Sequence, residues 1–326
     1  TTNPKVSLRW QPTKSLLFRS SYGHGFVAPS LFQLYQSPIT GVSAAGSSDS
    51  VRCPVTGLVG VDCKTQFPVT FGGNPNLKPQ RSEQASAGVV FEPVPGGSIS
   101  VDYFKLNVSD FIIDGISSDT VLADPAKYGY LITRGPVQPA FPNLPGPITN
   151  IDSFQINLGG VRMQGLDLDL RYRAPEQSWG RLTFEIQGTY FLRYDTSNPD
   201  GTWSGGVGTA YQAANIGIIP RWKHYATLTW DRGPWSTTLA QTFQDSYTDV
   251  GSYYVPHRTV GTMSLWDLNT TYSGFKNTKI TVGVKNLFDT NPPASNQSKV
   301  FINGFDPSYY DPLARFVYAS VNYKFK

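Results

Sequence analysis

The chain has 326 residues, enough for one large domain or two ordinary ones. Only 15% of them are charged and 13% are aromatic, and no run approaches the roughly 18 apolar residues a membrane helix needs, which excludes a helical membrane protein. The net charge of +4 is spread along the chain without the basic cluster that tracks phosphates, so nucleic acid is not expected as a partner.

A chain with few charges, 18 Tyr, 19 Phe, 7 Trp, 31 Gly and 25 Pro fits a soluble β-sandwich or propeller. It fits equally a transmembrane barrel, in which lipid-facing and lumen-facing residues alternate. Composition does not separate the two. Taken in chain order, nearly every periodic segment has a period of two, the mark of a strand. Lys5 to Gln11 sets Val6, Leu8 and Trp10 against Lys5, Ser7, Arg9 and Gln11. Weaker alternation follows at Ser15 to Tyr22, Glu83 to Glu92 and Ser98 to Val108. Met163 to Arg173 sets Leu166, Leu168, Leu170 and Tyr172 against Asp167, Asp169, Arg171 and Arg173. In Arg181 to Tyr194, Leu182, Phe184, Ile186, Tyr190, Leu192 and Tyr194 share one face, and Arg181, Thr183, Glu185, Gln187 and Arg193 the other. Arg221 to Asp231, Trp235 to Tyr247, Thr262 to Tyr272, Thr278 to Lys285 and Phe316 to Phe325 complete a set of about eleven strands.

The connections alternate between short and long. Pro12 to Lys14, Pro93 to Gly97, Ala174 to Gly180, Asp231 to Pro234 and Ser273 to Asn277 are turns. Gly23 to Gln80, Gly115 to Asn150, Asp195 to Ile219, Thr248 to Val260 and Asp289 to Pro312 are long loops. A sandwich has no reason to place every long loop at one end, whereas a bacterial outer-membrane barrel has short periplasmic turns and long extracellular loops. The expected fold is therefore an all-β, antiparallel up-and-down transmembrane barrel in the outer membrane, in contact with its lipid and lipopolysaccharide. An odd strand count cannot close such a barrel, and an open edge is not satisfied in hydrocarbon, so further strands are expected upstream. Thr1 has no Met before it and no signal peptide is visible, so the start reads as a processed or truncated end.

Four segments resemble the TonB-dependent receptor family: RSSYGHGFVAPSLFQLY (Arg19 to Tyr35), GNPNLKPQRSEQASAG (Gly73 to Gly88), QGLDLDLR (Gln164 to Arg171) and VKNLFD (Val284 to Asp289). The resemblance runs from Arg19 to the carboxy terminus. It implies a 22-stranded barrel around an amino-terminal plug, with residues 1–326 supplying strands 12 to 22 and the plug and first barrel half lying outside this chain. It also implies import of a scarce ligand, a ferric siderophore or similar large nutrient, energised by the TonB complex acting through the plug. Two departures stand out: Gln80 where the family carries Glu, and Lys326 after Phe325 where the family ends on an aromatic residue. The competing functions are a passive porin-like channel and a soluble carbohydrate-binding β protein.

On this reading small-molecule contacts come from aromatic and polar residues of the long loops and upper lumen: Phe32, Tyr35, Phe71, Arg134, Trp203, Tyr211, Tyr253, Tyr254, Tyr309 and Tyr310. The alternative for each is loop packing or an interfacial aromatic girdle. Asp167, Asp169, Arg171, Arg173, Glu185 and Arg193 are expected on the lumen wall, forming cross-strand ion pairs and touching the plug. Cys53 and Cys63 lie close together and suit a disulfide in an oxidising compartment; two free thiols are the alternative. His24, His224 and His257 are far apart and form no ligand set, and Asp306 and Asp311 near Tyr309 lack the repeated carboxylates of a calcium loop. Neither a phosphate-cradling loop nor a nucleophile turn is present, so no metal, cofactor or enzymatic bond chemistry is expected.

Overall fold

The computed structural model describes residues 2–198, 200–210, 218–250, 258–297 and 304–325. Its strands are β1 (Lys5–Thr13), β2 (Leu16–Val27), β3 (Ile39–Val42), β4 (Pro68–Gly72), β5 (Gln80–Phe91), β6 (Gly97–Ile113), β7 (Ile132–Arg134), β8 (Ile148–Phe154) and β9 (Ile156–Arg173). They continue with β10 (Arg181–Ser197), β11 (Trp203–Gly205), β12 (Trp222–Arg232), β13 (Trp235–Gln244), β14 (Tyr247–Thr248), β15 (Thr259–Val260), β16 (Met263–Tyr272), β17 (Thr278–Lys285) and β18 (Phe316–Tyr323). Four short helices, α1 (Leu31–Tyr35), α2 (Cys53–Thr56), α3 (Ser118–Ala123) and α4 (Pro125–Tyr128), all lie in the long connections. Among the described residues no helix is long and apolar enough to cross a membrane, a statement that does not bear on strands.

The eleven strands expected from periodicity are all present. They form one sheet in the order β1-β2-β5-β6-β9-β10-β12-β13-β16-β17-β18, with β11 added beside β10. Neighbours pair antiparallel, and the register keeps like with like: Phe184 faces Tyr172 and Leu228, while Glu185 faces Arg171 and Thr227. One face is thus apolar from strand to strand and the other polar. The short turns need backbone that side chains resist. At Gly180, φ is +115° and an added Cβ would lie 2.4 Å from the Asp231 carbonyl oxygen. The strands differ from expectation mainly at their ends; β2 runs on to Val27, and β9 begins at Ile156.

One irregularity changes a face assignment. Along β10, Phe191 pairs with Gly165 but Arg193 pairs with Gln164, so Leu192 is an inserted bulge residue. Gln164 shares its face with Leu166 and Leu168. Arg193 therefore belongs to the apolar face of the sheet, and its expected place on the polar face with Glu185 and Gln187 is corrected.

The chain divides into two compact units. One joins Gly25–Ser82 to Val108–Gly160, and the other holds Thr2–His24, Glu83–Asn107 and Val161–Lys326. The first unit has its own four-stranded sheet, β3-β4-β8-β7, in which β4 and β8 run parallel, pairing Val69 with Ile151. Its core is Phe67, Val69, Ile116, Val121, Leu122, Tyr128, Ile148 and Ile151. Helix α3 joins that core because Ser117 caps it, accepting from the Thr120 amide at 3.2 Å, and Val121 and Leu122 fall on its inner side. Cys53 and Cys63 are joined by a disulfide, their Cα atoms 5.1 Å apart. Closing so short a loop contributes about 3 kcal/mol in the chain-entropy account.

Candidate functional site

In the second unit the polar face of the sheet forms an open cleft of about 1040 Å³, bordered by Arg19, Asp102, Asp167, Asp169, Lys223 and Tyr309. Alternation places the strand residues together, because every second residue of each strand reaches this face, and Tyr309 joins them from the loop before β18. Arg19 on β2 donates to both carboxylate oxygens of Asp102 on β6, at 2.6 and 2.5 Å. Ser100 adds a 2.8 Å hydrogen bond to the same carboxylate. Strand β5 lies between these two in the sheet order, so the pair must cross it. Gly88 makes the crossing possible, since a Cβ there would sit 2.0 Å from an Asp102 oxygen.

Further along, the acidic stripe of β9 meets neutral partners on β10. Gln187 donates to Asp169 at 2.9 Å, and the Thr189 hydroxyl donates to Asp167 at 2.6 Å. Arg171 and Glu185 form the expected cross-strand ion pair at 2.9 Å, largely exposed. The cleft therefore combines an Arg–carboxylate clamp, two carboxylates hydrogen-bonded by neutral groups, and an exposed lysine. Such a surface offers hydrogen-bonding and charged groups of both signs.

The expected contact residues fall into two groups. Phe32, Tyr35, Phe71 and Arg134 belong to the first unit. Phe32 and Tyr35 project into solvent from α1, whose start is fixed by a capping box between Ser30 and Gln33. Phe71 is partly exposed on β4, over Gly41. Arg134 is occupied, donating to the buried carboxylate of Asp49 at 2.6 and 3.2 Å. Burial opposes charge on Asp49, but Arg134 and the amides of Val51 and Arg52 outweigh it and hold the carboxyl below the usual carboxylate range. Nearby Arg52, fully buried, donates to Asp62 at 2.9 Å, Gln138 at 2.6 Å and the Pro145 carbonyl at 2.5 Å.

Trp203, Tyr309 and Tyr310 belong to the second unit. Tyr310 is buried with Tyr247, Val260, Met263, Ala210 and Ile218, and burial pushes its phenol up to about 12. Tyr309 stands edge-on to Tyr310 and borders the cleft, with the Lys223 ammonium 6.0 Å from its ring centre. Trp203 lies under the guanidinium of Arg162, 3.8 Å away. Tyr211, Tyr253 and Tyr254, like His257, lie outside the described residues. Sequence reasoning did not find the Arg19–Asp102 clamp or Lys223. The available signal was Gly88 in the middle of a strand, where glycine marks a close approach.

At the short-turn end, aromatic residues ring the apolar face. Trp10 stacks on Phe18 with ring centres 5.3 Å apart, Trp235 meets Tyr272 at 4.7 Å, and Tyr272 meets Phe275 at 5.2 Å. Comparison with known proteins places this architecture. Residues 1–287 match the family model described as TonB dependent receptor-like, beta-barrel. The chain belongs to the TonB-dependent receptor family. Its barrels reside in the bacterial outer membrane, so the apolar face is the lipid face, the polar face lines the lumen, and the aromatic ring is an interfacial girdle.

Solved structures share the fold at low identity. A mutant of the ferric enterobactin receptor PfeA of Pseudomonas aeruginosa aligns with TM-score 0.68 and 18% identity, covering 98% of this chain and 40% of that one. The siderophore receptor PirA of Acinetobacter baumannii gives 0.67 and 16%, covering 99% and 41%. The FrpB iron transporter of Neisseria meningitidis gives 0.59 and 14%, covering 99% and 39%. The chain thus spans about two fifths of the length of the receptors it matches. Among curated proteins no sequence matches it significantly.

Proposed function

We propose that this chain is the carboxy-terminal barrel part of a receptor that binds a ferric siderophore or a similarly large, scarce nutrient and imports it with energy from TonB. In this reading a plug and a first barrel half lie elsewhere in the receptor, and the eleven-strand path supplies lumen wall and extracellular surface. The observation that carries the reading is the lumenal cleft with its clamp, carboxylates and lysine, on a fold that siderophore receptors share. Phe32, Tyr35, Phe71 and Tyr309 are the aromatic surfaces offered to a ligand, and the lumenal polar groups serve its passage and the plug.

The test is uptake of radioactive iron presented as a panel of ferric siderophores, in cells with and without the complete receptor gene. Uptake of at least one complex should depend on the gene and fall to background when TonB is deleted. TonB-independent uptake, with steady open conductance of the purified receptor in a planar bilayer, would identify a passive channel instead.

A further inference from the structure

The five long connections carry seven Lys or Arg and ten Asp, a negative balance on a chain whose sum is +4. They contain three arginines, and the fold closes each of them on an aspartate. Arg52 meets Asp62 at 2.9 Å, Arg134 meets Asp49 at 2.6 Å, and Arg258 meets Asp249 at 3.4 Å. All three carboxylates are buried. A guanidinium that turned from such a partner toward a ligand would strand a buried charge, which is strongly unfavourable. Exposed ammonium groups, Lys64 and Lys78 among them, remain, but they lack the paired donors that grip an oxyanion. The first unit's loops also expose aromatic rings, those of Phe32, Tyr35 and Phe71.

The lumenal cleft of the second unit repeats this balance by itself. Its wall holds three carboxylates, Asp102, Asp167 and Asp169, against two cations, Arg19 and Lys223. Arg19 is closed on Asp102 by two hydrogen bonds. The donors to Asp167 and Asp169 are the neutral Thr189 and Gln187, which satisfy an oxygen of each carboxylate and leave its charge in place. The Lys223 ammonium sits against the Tyr309 ring, 6.0 Å from its centre.

Ferric complexes differ in charge by their chemistry. Three hydroxamates carry three negative charges, which iron(III) cancels, whereas three catecholates carry six and leave a trianion. A trianion is repelled by the balance of both surfaces, and each arginine of the long connections already holds a carboxylate. A neutral or cationic complex meets aromatic rings and carboxylates that accept N–H groups. We propose that the ligand is a ferric complex of zero or positive net charge, of the hydroxamate type, with Asp167 and Asp169 accepting its amide or ammonium groups. This inference rests on the transport reading and names its substrate class. The fold shared with a ferric enterobactin receptor does not argue against it, because 18% identity carries the fold and not the ligand.

The experiment is equilibrium dialysis of the complete, purified receptor against radioactive-iron complexes of three probes. They are ferrichrome, a neutral trihydroxamate; desferrioxamine B, a trihydroxamate whose complex keeps a terminal ammonium; and enterobactin, a triscatecholate. Both hydroxamate complexes should bind at least about tenfold more tightly than the catecholate complex. Asp167→Asn/Asp169→Asn should weaken the ammonium-bearing complex by roughly threefold and the neutral one by less than about twofold, a difference that a folding defect would not produce. Catecholate binding as tight as hydroxamate binding would overturn the inference and leave the transport reading standing. Equal loss of both hydroxamate complexes in the Asn variant would do the same. Binding of none of the three would overturn it too, and the uptake panel then decides the transport reading by itself.

Discussion

The two units of this chain treat apolar side chains in opposite ways. In the unit built from residues 25–82 and 108–160, Val69, Val121 and Ile151 are fully buried, as in a water-soluble domain. In the sheet unit, Val6, Leu8, Val317 and Val321 stand 65–72% exposed on the outer strands β1 and β18. Water drives the first arrangement. The second makes sense only where lipid or further barrel strands replace water, because so much apolar area would otherwise be left in contact with it. The lesson is that one chain can carry two folding solvents, and burial alone shows where each applies.

The contrast can be broken most sharply at Arg52. Its removal as Arg52→Ala leaves Asp62 buried without its cationic partner and should cost about 3–5 kcal/mol within the first unit. Limited proteolysis should then cut within residues 25–82, while the folded-to-boiled shift on semi-native electrophoresis, which reports the barrel, stays unchanged. Next is Leu170→Arg, on the lipid face opposite Ile186 and midway along the apolar stretch from Leu182 to Tyr190, expected to cost about 2–4 kcal/mol. It should lower the urea midpoint of that electrophoretic shift without exposing the first unit to protease, the reverse of the first outcome.

Acid probes the same boundary more gently. The carboxyl of Asp49 titrates below its unfolded value, so its stabilising contribution is complete above the ordinary carboxylate pKa of about 4 and fades as pH falls through the lower, folded value. Protease resistance of the first unit should therefore hold from pH 8 to pH 5 and weaken below about pH 4. Asp49→Asn should remove that dependence and cost about 1–3 kcal/mol at neutral pH, since Arg134 loses its charged acceptor. The smallest effect belongs to Arg171→Gln. Both partners of the Arg171–Glu185 pair are exposed, and the urea midpoint should move by less than the equivalent of about 1 kcal/mol.

The eleven long strands were legible because each alternates for several residues and ends at a turn with suitable chemistry. The four-stranded sheet of the first unit was not. Strands β3, β4 and β7 span only 3–5 residues, and the parallel partner of β4 lies far along the chain, so no local period betrays it. The bulge escaped for a subtler reason. Tyr190, Leu192 and Tyr194 continue the apolar alternation without a break, so nothing in the pattern signals that the pairing shifts and that Arg193 changes sides. The lumenal clamp needed knowledge of which strand lies between β2 and β6, information that comes from topology. The candidate contact residues sit in different surroundings. Phe32 and Tyr35 are exposed on a loop helix, whereas Arg134 donates to Asp49 and Tyr310 is buried in a cluster of its own unit.

The parallel pairing of β4 with β8 carries one more implication, about timing. Thr70 and Asn150, hydrogen-bonded across that pair, are separated by 80 residues, and two full sheet strands, β5 and β6, are made between them. Joining ends so far apart is slow compared with closing a neighbouring hairpin. The disulfide, whose cysteines are only 10 residues apart, needs no such wait. The first unit is therefore expected to mature in two stages, a locally stapled loop followed by a later closure that waits for the strands between its halves to be made.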